Sequence, residues 1–332
     1  NGKYFITNTL GFLVGEQVLI LKTTDGGISW EQQTSTVDTT LNSAYFFDQN
    51  NGFIVGENGV LLNTTNGGTN WNNVSFTNFY SFKDIQFADA NNGFIVRNSG
   101  AFYKSTDGGL TWSLPIILPT PWQLTDVTFI NSNIGFITSV NSNNIYRTSD
   151  GGINWNEIVL SGAFGFNKIV FTDANNGFAL GTGGKIFKTS DSGLSWSVQT
   201  SGITTSINDA YFTTSIAGIA VGSGGMILNT SNGGLTWTKL SNGNYEYLAA
   251  IDFVNSNLGI AVGSKGAILK TTDGGQSWLD KSIDINLYPN YVSLLDSLNG
   301  YFVDFYNTGI YKTTDGGESW NYLTTNGFAG NA

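Results

Sequence analysis

Short apolar runs alternate with polar turns along the whole chain. From Leu41 the order is a run "AYFFD" after "LNS", a turn "QNNG", a run "FIVG", a turn "ENG", a run "VLLNT", a Gly-rich octapeptide, and a more polar run "NWNNVSF". Short runs rich in β-branched and aromatic residues, bounded by Gly, Asn and Asp, predict strands. No stretch carries the 3.6-residue period of an amphipathic helix. The same frame returns as "DIQFADANNGFIVRNSGAFYKSTDGGLTW" and as "KIVFTDANNGFALGTGGKIFKTSDSGLSW".

The octapeptide sets the period. It stands as "TTDGGISW" at Thr23–Trp30 and as "TTDGGESW" at Thr313–Trp320, with six relatives between. Its tryptophans are Trp30, Trp71, Trp112, Trp155, Trp196, Trp237, Trp278 and Trp320, spaced by 41, 41, 43, 41, 41, 41 and 42 residues. Four short strands per period of this length predict one propeller blade per copy. The opening "KYFITNTLGFLVG" aligns on "AYFFDQNNGFIVG", and the last unit ends with a fourth strand near Trp320–Thr324. The sequence therefore predicts an all-β fold. It is an eight-bladed β-propeller of four-stranded antiparallel blades, one domain over residues 1–332. Seven blades plus an extra module is the alternative.

Composition narrows the function. Only 11% of the 332 residues are charged, against ~25% in an average soluble protein, and 43 are Gly. The net charge of −10 repels phosphates and anionic lipid surfaces, so nucleic acid and direct membrane insertion are not expected. No apolar run approaches the ~20 residues of a spanning helix. Cys and His are both absent, which removes disulfides, thiolate sites, the usual zinc ligand and the usual general base. Neither a cofactor nor a metal is expected. The chain begins with Asn and reads as a mature or trimmed product. The expected location is extracellular or at the cell surface, with the periplasm as the alternative.

The octapeptide has two readings, a chemical site or a turn. Its third position holds Asp25, Asn66, Asp107, Asp150, Asp191, Asn232, Asp273 and Asp315. A short carboxylate or amide accepts bonds from nearby backbone N–H groups and closes a turn; Gly supplies positive φ, and Trp supplies apolar surface. Asn keeps the turn-forming oxygen but loses the charge that a Ca²⁺ ligand needs. The expectation is a structural turn. The pattern resembles the Asp-box, also called the bacterial neuraminidase repeat, and covers the chain once per module. The unit "GFIVGxxGxILxTTDGGxSW" resembles the family of photosystem II assembly and stability factors. It is also similar to sialidases, sortilin-type receptors and xyloglucanase-like hydrolases. The resemblance implies that the box joins the third and fourth strands of each blade, on the face away from an active site.

Three roles follow from these relatives. Sialidases hold a carboxylate with three arginines, and this chain has only Arg97 and Arg147. That shortage argues against sialidase activity, and against the arginine-rich patch that the photosystem family uses on a nascent membrane protein. Hydrolysis by two acids would fall to Asp84, Asp126 and Asp209, each three residues before a first-strand aromatic (Phe87, Phe129, Phe212). Those acids would otherwise cap strand ends and meet water. The leading expectation is a non-catalytic module that binds a protein or glycan partner. A hydrolase, or an architectural module of a larger surface protein, is the alternative.

A ligand is expected opposite the boxes, on the crossing loops between blades and the turns between second and third strands. Those loops hold Phe76, Phe79, Tyr80 and Phe82; Phe164 and Phe166; Tyr245 and Tyr247; and Tyr288 and Tyr291. They also hold "PIILPTPWQLT", with Trp122 as the one tryptophan outside a box. Aromatic loops on a rigid scaffold suit sugar faces or protein side chains, although Tyr80, Phe82 and Phe166 would also suit packing between blades. The end of the second strand reads Gly15, Gly56, Arg97, Ser139, Gly181, Gly222, Gly263 and Asp304. Arg97 and Asp304 break a small-residue rule. They are either isolated solvated charges or, with Trp122, Tyr80, Phe164, Tyr245 and Tyr247, parts of one recognition face.

Overall fold

A computed structural model describes every residue except 1, 8, 16–18, 75, 77–79, 120–122, 140–141, 163, 242, 244, 305–308 and 324–332. The described residues form eight four-stranded antiparallel sheets, each in chain order, and almost no helix: the eight-bladed β-propeller. Blade three is typical, with strands Phe82–Phe87, Gly93–Arg97, Ala101–Ser105 and Ile116–Ile117. The first three strands are largely buried and the fourth is exposed, which is why only the fourth run of each repeat reads as polar. Among the described residues no helix is long and apolar enough to cross a membrane.

The blades fall into two compact units, residues up to 159 and residues 160–323. Each unit holds four blades. Within each, apolar residues from facing sheets share a core. Phe94, Val96 and Phe102 of blade three meet Val127, Ile137 and Tyr146 of blade four. Ile219, Val221 and Ile227 of blade six meet Ile251, Ala261 and Leu269 of blade seven in the same way. The second strand is buried on both faces because it lies between two neighbours, so it reads as a continuous apolar run.

The octapeptides are turns between third and fourth strands. In the first, the Asp25 carboxylate accepts the Ser29 N–H at 2.9 Å and the Ser29 hydroxyl at 2.6 Å, while Thr23 Oγ1 accepts the Gly27 N–H at 2.6 Å. Hydrogen bonds from the Asn154 backbone and side chain hold the Asp150 carboxyl at about 2, and those from Ser195 do the same for Asp191. The substituted boxes keep the geometry: Asn66 Oδ1 accepts the Asn70 N–H at 2.9 Å, and Asn232 Oδ1 the Thr236 N–H at 3.0 Å. One box amide also donates to the turn between first and second strands, as Gly108 N–H does to the Asn91 carbonyl at 2.9 Å. The two turns therefore share one end of the blade, and the crossing loops and second turns share the other.

The box tryptophans join blades. Trp71 meets Phe12 of blade one edge-on at 6.2 Å, and Trp155 meets Phe94 of blade three at 6.0 Å. A lysine clamp accompanies them, and the sequence reading did not single it out. Lys22 donates to the Gly67 carbonyl of the next box at 2.6 Å, Lys104 to that of Gly151 at 3.0 Å, and Lys188 to that of Gly233 at 2.6 Å. In blade seven the buried Lys270 instead reaches Glu318 at 2.6 Å, which also pairs with Lys281. The signal was present: the residue before the box is Lys in five of the eight copies.

Candidate functional site

The first strands of successive blades are edge strands, so part of their backbone has no partner within its own sheet. Side chains from the neighbouring blade supply partners. Asn42 donates to the Phe82 carbonyl at 2.7 Å, Asn167 to that of Ile207 at 2.8 Å, and Asn208 to that of Leu248 at 2.6 Å. Carboxylates do the complementary work. Asp84 accepts the Val127 N–H at 3.4 Å, Asp209 the Ile251 N–H at 3.1 Å, and Asp252 the Leu294 N–H at 2.9 Å. A buried donor left without an acceptor costs ~1–3 kcal/mol, which explains polar residues inside an otherwise apolar repeat.

In this belt the candidate acids bond neighbouring blades and stay partly exposed, so they meet both protein and water. Asp84 also accepts the Ser43 hydroxyl at 2.7 Å and hydrogen-bonds Asp126. Burial, and then the adjacent Asp126 charge, push the Asp84 carboxyl well above the usual carboxylate range. Asp209 forms an ion pair with Lys168 at 3.1 Å. Two carboxyls in hydrogen-bond contact are much closer than the roughly 5 Å or more that glycoside hydrolysis requires.

The loop end is built by carbonyl contacts. The residue after the second strand donates its N–H to the crossing loop, as Glu57 does to Thr40 at 2.9 Å and Ser264 to Tyr247 at 2.8 Å. At several strand ends that closeness leaves no room for a side chain. A Cβ on Gly56 would overlap the Thr40 carbonyl, and one on Gly263 would overlap that of Tyr247. Blade four carries the small Ser139, and blades three and eight carry charges, where the expectation of solvation fails. Both side chains are buried, Arg97 at 7% exposure and Asp304 at 1%.

Their surroundings differ. The Asp304 carboxylate accepts the Tyr288 N–H of its own crossing loop at 2.6 Å. The Arg97 guanidinium lies over the Tyr80 ring at 3.8 Å and near Tyr103 at 6.0 Å. Among the described residues its Nε has no hydrogen-bond acceptor. Tyr80 is set in place by its own carbonyl, which accepts the Gly59 N–H of blade two at 2.8 Å. Blade three thus brings two expected site residues together, Arg97 and Tyr80.

The remaining loop residues divide. Phe82 and Phe166 are buried between blades, and Phe76 packs on Tyr103 at 4.5 Å. Phe164 and Tyr245 are largely exposed, while Tyr80 and Tyr247 are about half exposed. Tyr245 borders a cleft of about 340 Å³ with Gly224, Lys239 and Ser241, and Glu246 between the two tyrosines pairs with Lys265 at 3.1 Å. Trp122 and Phe79 lie outside the described residues. Among the described residues no cluster of acidic side chains is arranged to hold a metal ion.

Comparison with known proteins places this architecture. The family described as photosynthesis system II assembly factor YCF48 matches residues 3–112, 163–245 and 244–327. A structure of YCF48 bound to D1 peptide has a TM-score of 0.64 and 22% identity, covering 86% of this chain and 94% of that one. YCF48 from Cyanidioschyzon merolae has a TM-score of 0.63 and 19% identity, covering 86% and 98%. An ancestral GH74 enzyme shares the fold at a TM-score of 0.55 and 13% identity, covering 97% of this chain and 61% of that one. No curated protein sequence matches. With three matched segments that together span most of its length, the chain belongs to the photosynthesis system II assembly factor YCF48 family.

Proposed function

We propose that this chain is a non-catalytic binding propeller that takes a segment of a protein partner on the end opposite the box turns. The observation that carries the reading is its family membership, together with a family structure that holds a D1 peptide. The crossing loops of each unit support it, since Tyr80 in the first and Phe164, Tyr245 and Tyr247 in the second expose rings on a β scaffold. An extracytoplasmic location, and a place in a larger surface assembly, are part of the same proposal. The same exposed rings also suit a glycan. The hydrolase reading is weaker, because Asp84, Asp126 and Asp209 are each engaged with neighbouring blades.

Co-purification from the native source, followed by a peptide array of the captured protein and a glycan array, tests this reading. Binding to peptide without turnover supports it. Binding to glycans alone would replace the partner class. Release of reducing sugar that Asp126→Asn and Asp209→Asn abolish would overturn it.

A further inference from the structure

Six second-strand ends carry Gly or Ser and two carry a charge, and only one of the two charges is bonded within its own loop. Glycine is required at Gly56, Gly181, Gly222 and Gly263, where a Cβ would overlap the crossing-loop carbonyl. Asp304 replaces it and closes its own loop through Tyr288. Arg97 replaces it and closes nothing: among the described residues, no carboxylate or carbonyl meets its Nε. A buried Nε–H without an acceptor is costly, and the Tyr80 and Tyr103 rings beside it supply none. In the next two residues Asn98 Oδ1, an acceptor, and Ser99 Oγ are also buried without a partner. Nowhere else do three consecutive described residues carry such atoms.

Resting on the peptide-binding reading, we propose that the Arg97 turn is a carboxylate-binding subsite, with Arg97 as the charged contact and Tyr80 as its platform. A planar guanidinium stacked on a ring at 3.8 Å keeps its edge directed away from the ring face, where two parallel N–H bonds can meet one carboxylate. Burial strengthens such a bond, because the guanidinium is shielded from water and from salt. The Ser99 hydroxyl is a further donor beside it. The chain's net charge of −10 would otherwise repel an anionic ligand, so a single shielded cation selects one carboxylate rather than an acidic surface. The carboxylate is either the C-terminus of a peptide or an Asp or Glu side chain.

With two arginines in the chain, Arg97 Nε–H is one of two resonances of its kind in a ¹⁵N spectrum, and Arg147→Lys assigns them. The probes are N-acetyl-Ala-Ala, its C-terminal amide, and N-acetyl-Ala-Glu-amide. The expected result is a saturable shift of Arg97 Nε–H with one or both carboxylate probes, none with the neutral amide, and an unmoved Arg147. Response to the first probe assigns a terminal carboxylate, and response to the third a side-chain one. Affinity for the responding probe, followed on backbone amides, should fall roughly tenfold in Arg97→Gln and roughly threefold in Tyr80→Leu. Equal shifts with the neutral amide, or no shift with either carboxylate, would overturn the subsite. If partner peptides bind while the Arg97 signal stays unmoved, the subsite fails and the peptide-binding reading stands. If no partner peptide binds at all, it is that reading which fails.

Discussion

Arg97 and Asp304 occupy the same place in two blades and do opposite things there. Both replace a glycine, both carry a charge, and both are buried. Asp304 accepts the backbone N–H of Tyr288, so its charge is used within the fold. Arg97 lies on Tyr80 with its Nε unpartnered among the described residues. A departure from a repeat rule is therefore not by itself a functional signal. The partner of the departing side chain separates them: the Asp304 charge is satisfied by its own loop, and the Arg97 Nε, unpartnered among the described residues, is the one proposed to meet a ligand.

The comparison can be broken first at the glycine rule beneath it. Gly263→Ala places a methyl group against the Tyr247 carbonyl and should cost about 2–3 kcal/mol in chemical denaturation. A cost below 0.5 kcal/mol, a bound well under the ~1–3 kcal/mol of overpacking, would mean that the crossing loop yields easily and that Arg97 needs no special explanation. Asp304→Ala should cost about 2 kcal/mol, since it leaves the Tyr288 N–H without its charged acceptor. Arg97→Gln should change stability by less than about 1 kcal/mol in either direction, because the Arg97 Nε has no hydrogen bond to lose among the described residues.

A smaller effect separates the inner belt from the box turns by pH. The Asp84 carboxyl is raised in the fold above its ordinary 3.8, so the native chain holds a proton that the unfolded chain releases. Its contribution is present below 3.8 and is lost as pH rises through the higher folded value. Box carboxylates such as Asp150 and Asp191 are lowered to about 2, and their contribution is lost as pH falls from 4 towards 2. Asp84→Asn should therefore flatten the decline of stability between pH 5 and 8 and leave the acid limb unchanged, as read from denaturation midpoints. A variant whose neutral-range slope matches the parent would remove Asp84 from that role.

The sequence made the fold legible because one octapeptide marks every period. Blade number, strand order and the position of Trp30 and its equivalents follow from counting. The lysine clamp and the inner belt were harder, because each joins residues 40 to 48 positions apart. Such bonds are visible only once facing blades are in register. The aromatic loop residues were legible as a set but not in their roles. Phe166 and Phe164 are two residues apart, yet one is buried and the other largely exposed. Arg97 stood out as a departure from glycine, but whether it met water, a partner or a ring depended on the three-dimensional course of the loop that carries Tyr80.

The most direct test compares the two departures in one binding experiment. N-acetyl-Ala-Ala and N-acetyl-Ala-Glu-amide are titrated into the parent chain, Arg97→Gln and Asp304→Asn, with stability measured on the same samples. The account predicts that Arg97→Gln weakens binding roughly tenfold at nearly unchanged stability, and that Asp304→Asn lowers stability at unchanged affinity. Equal affinity in all three, or loss of binding in Asp304→Asn alone, would contradict it.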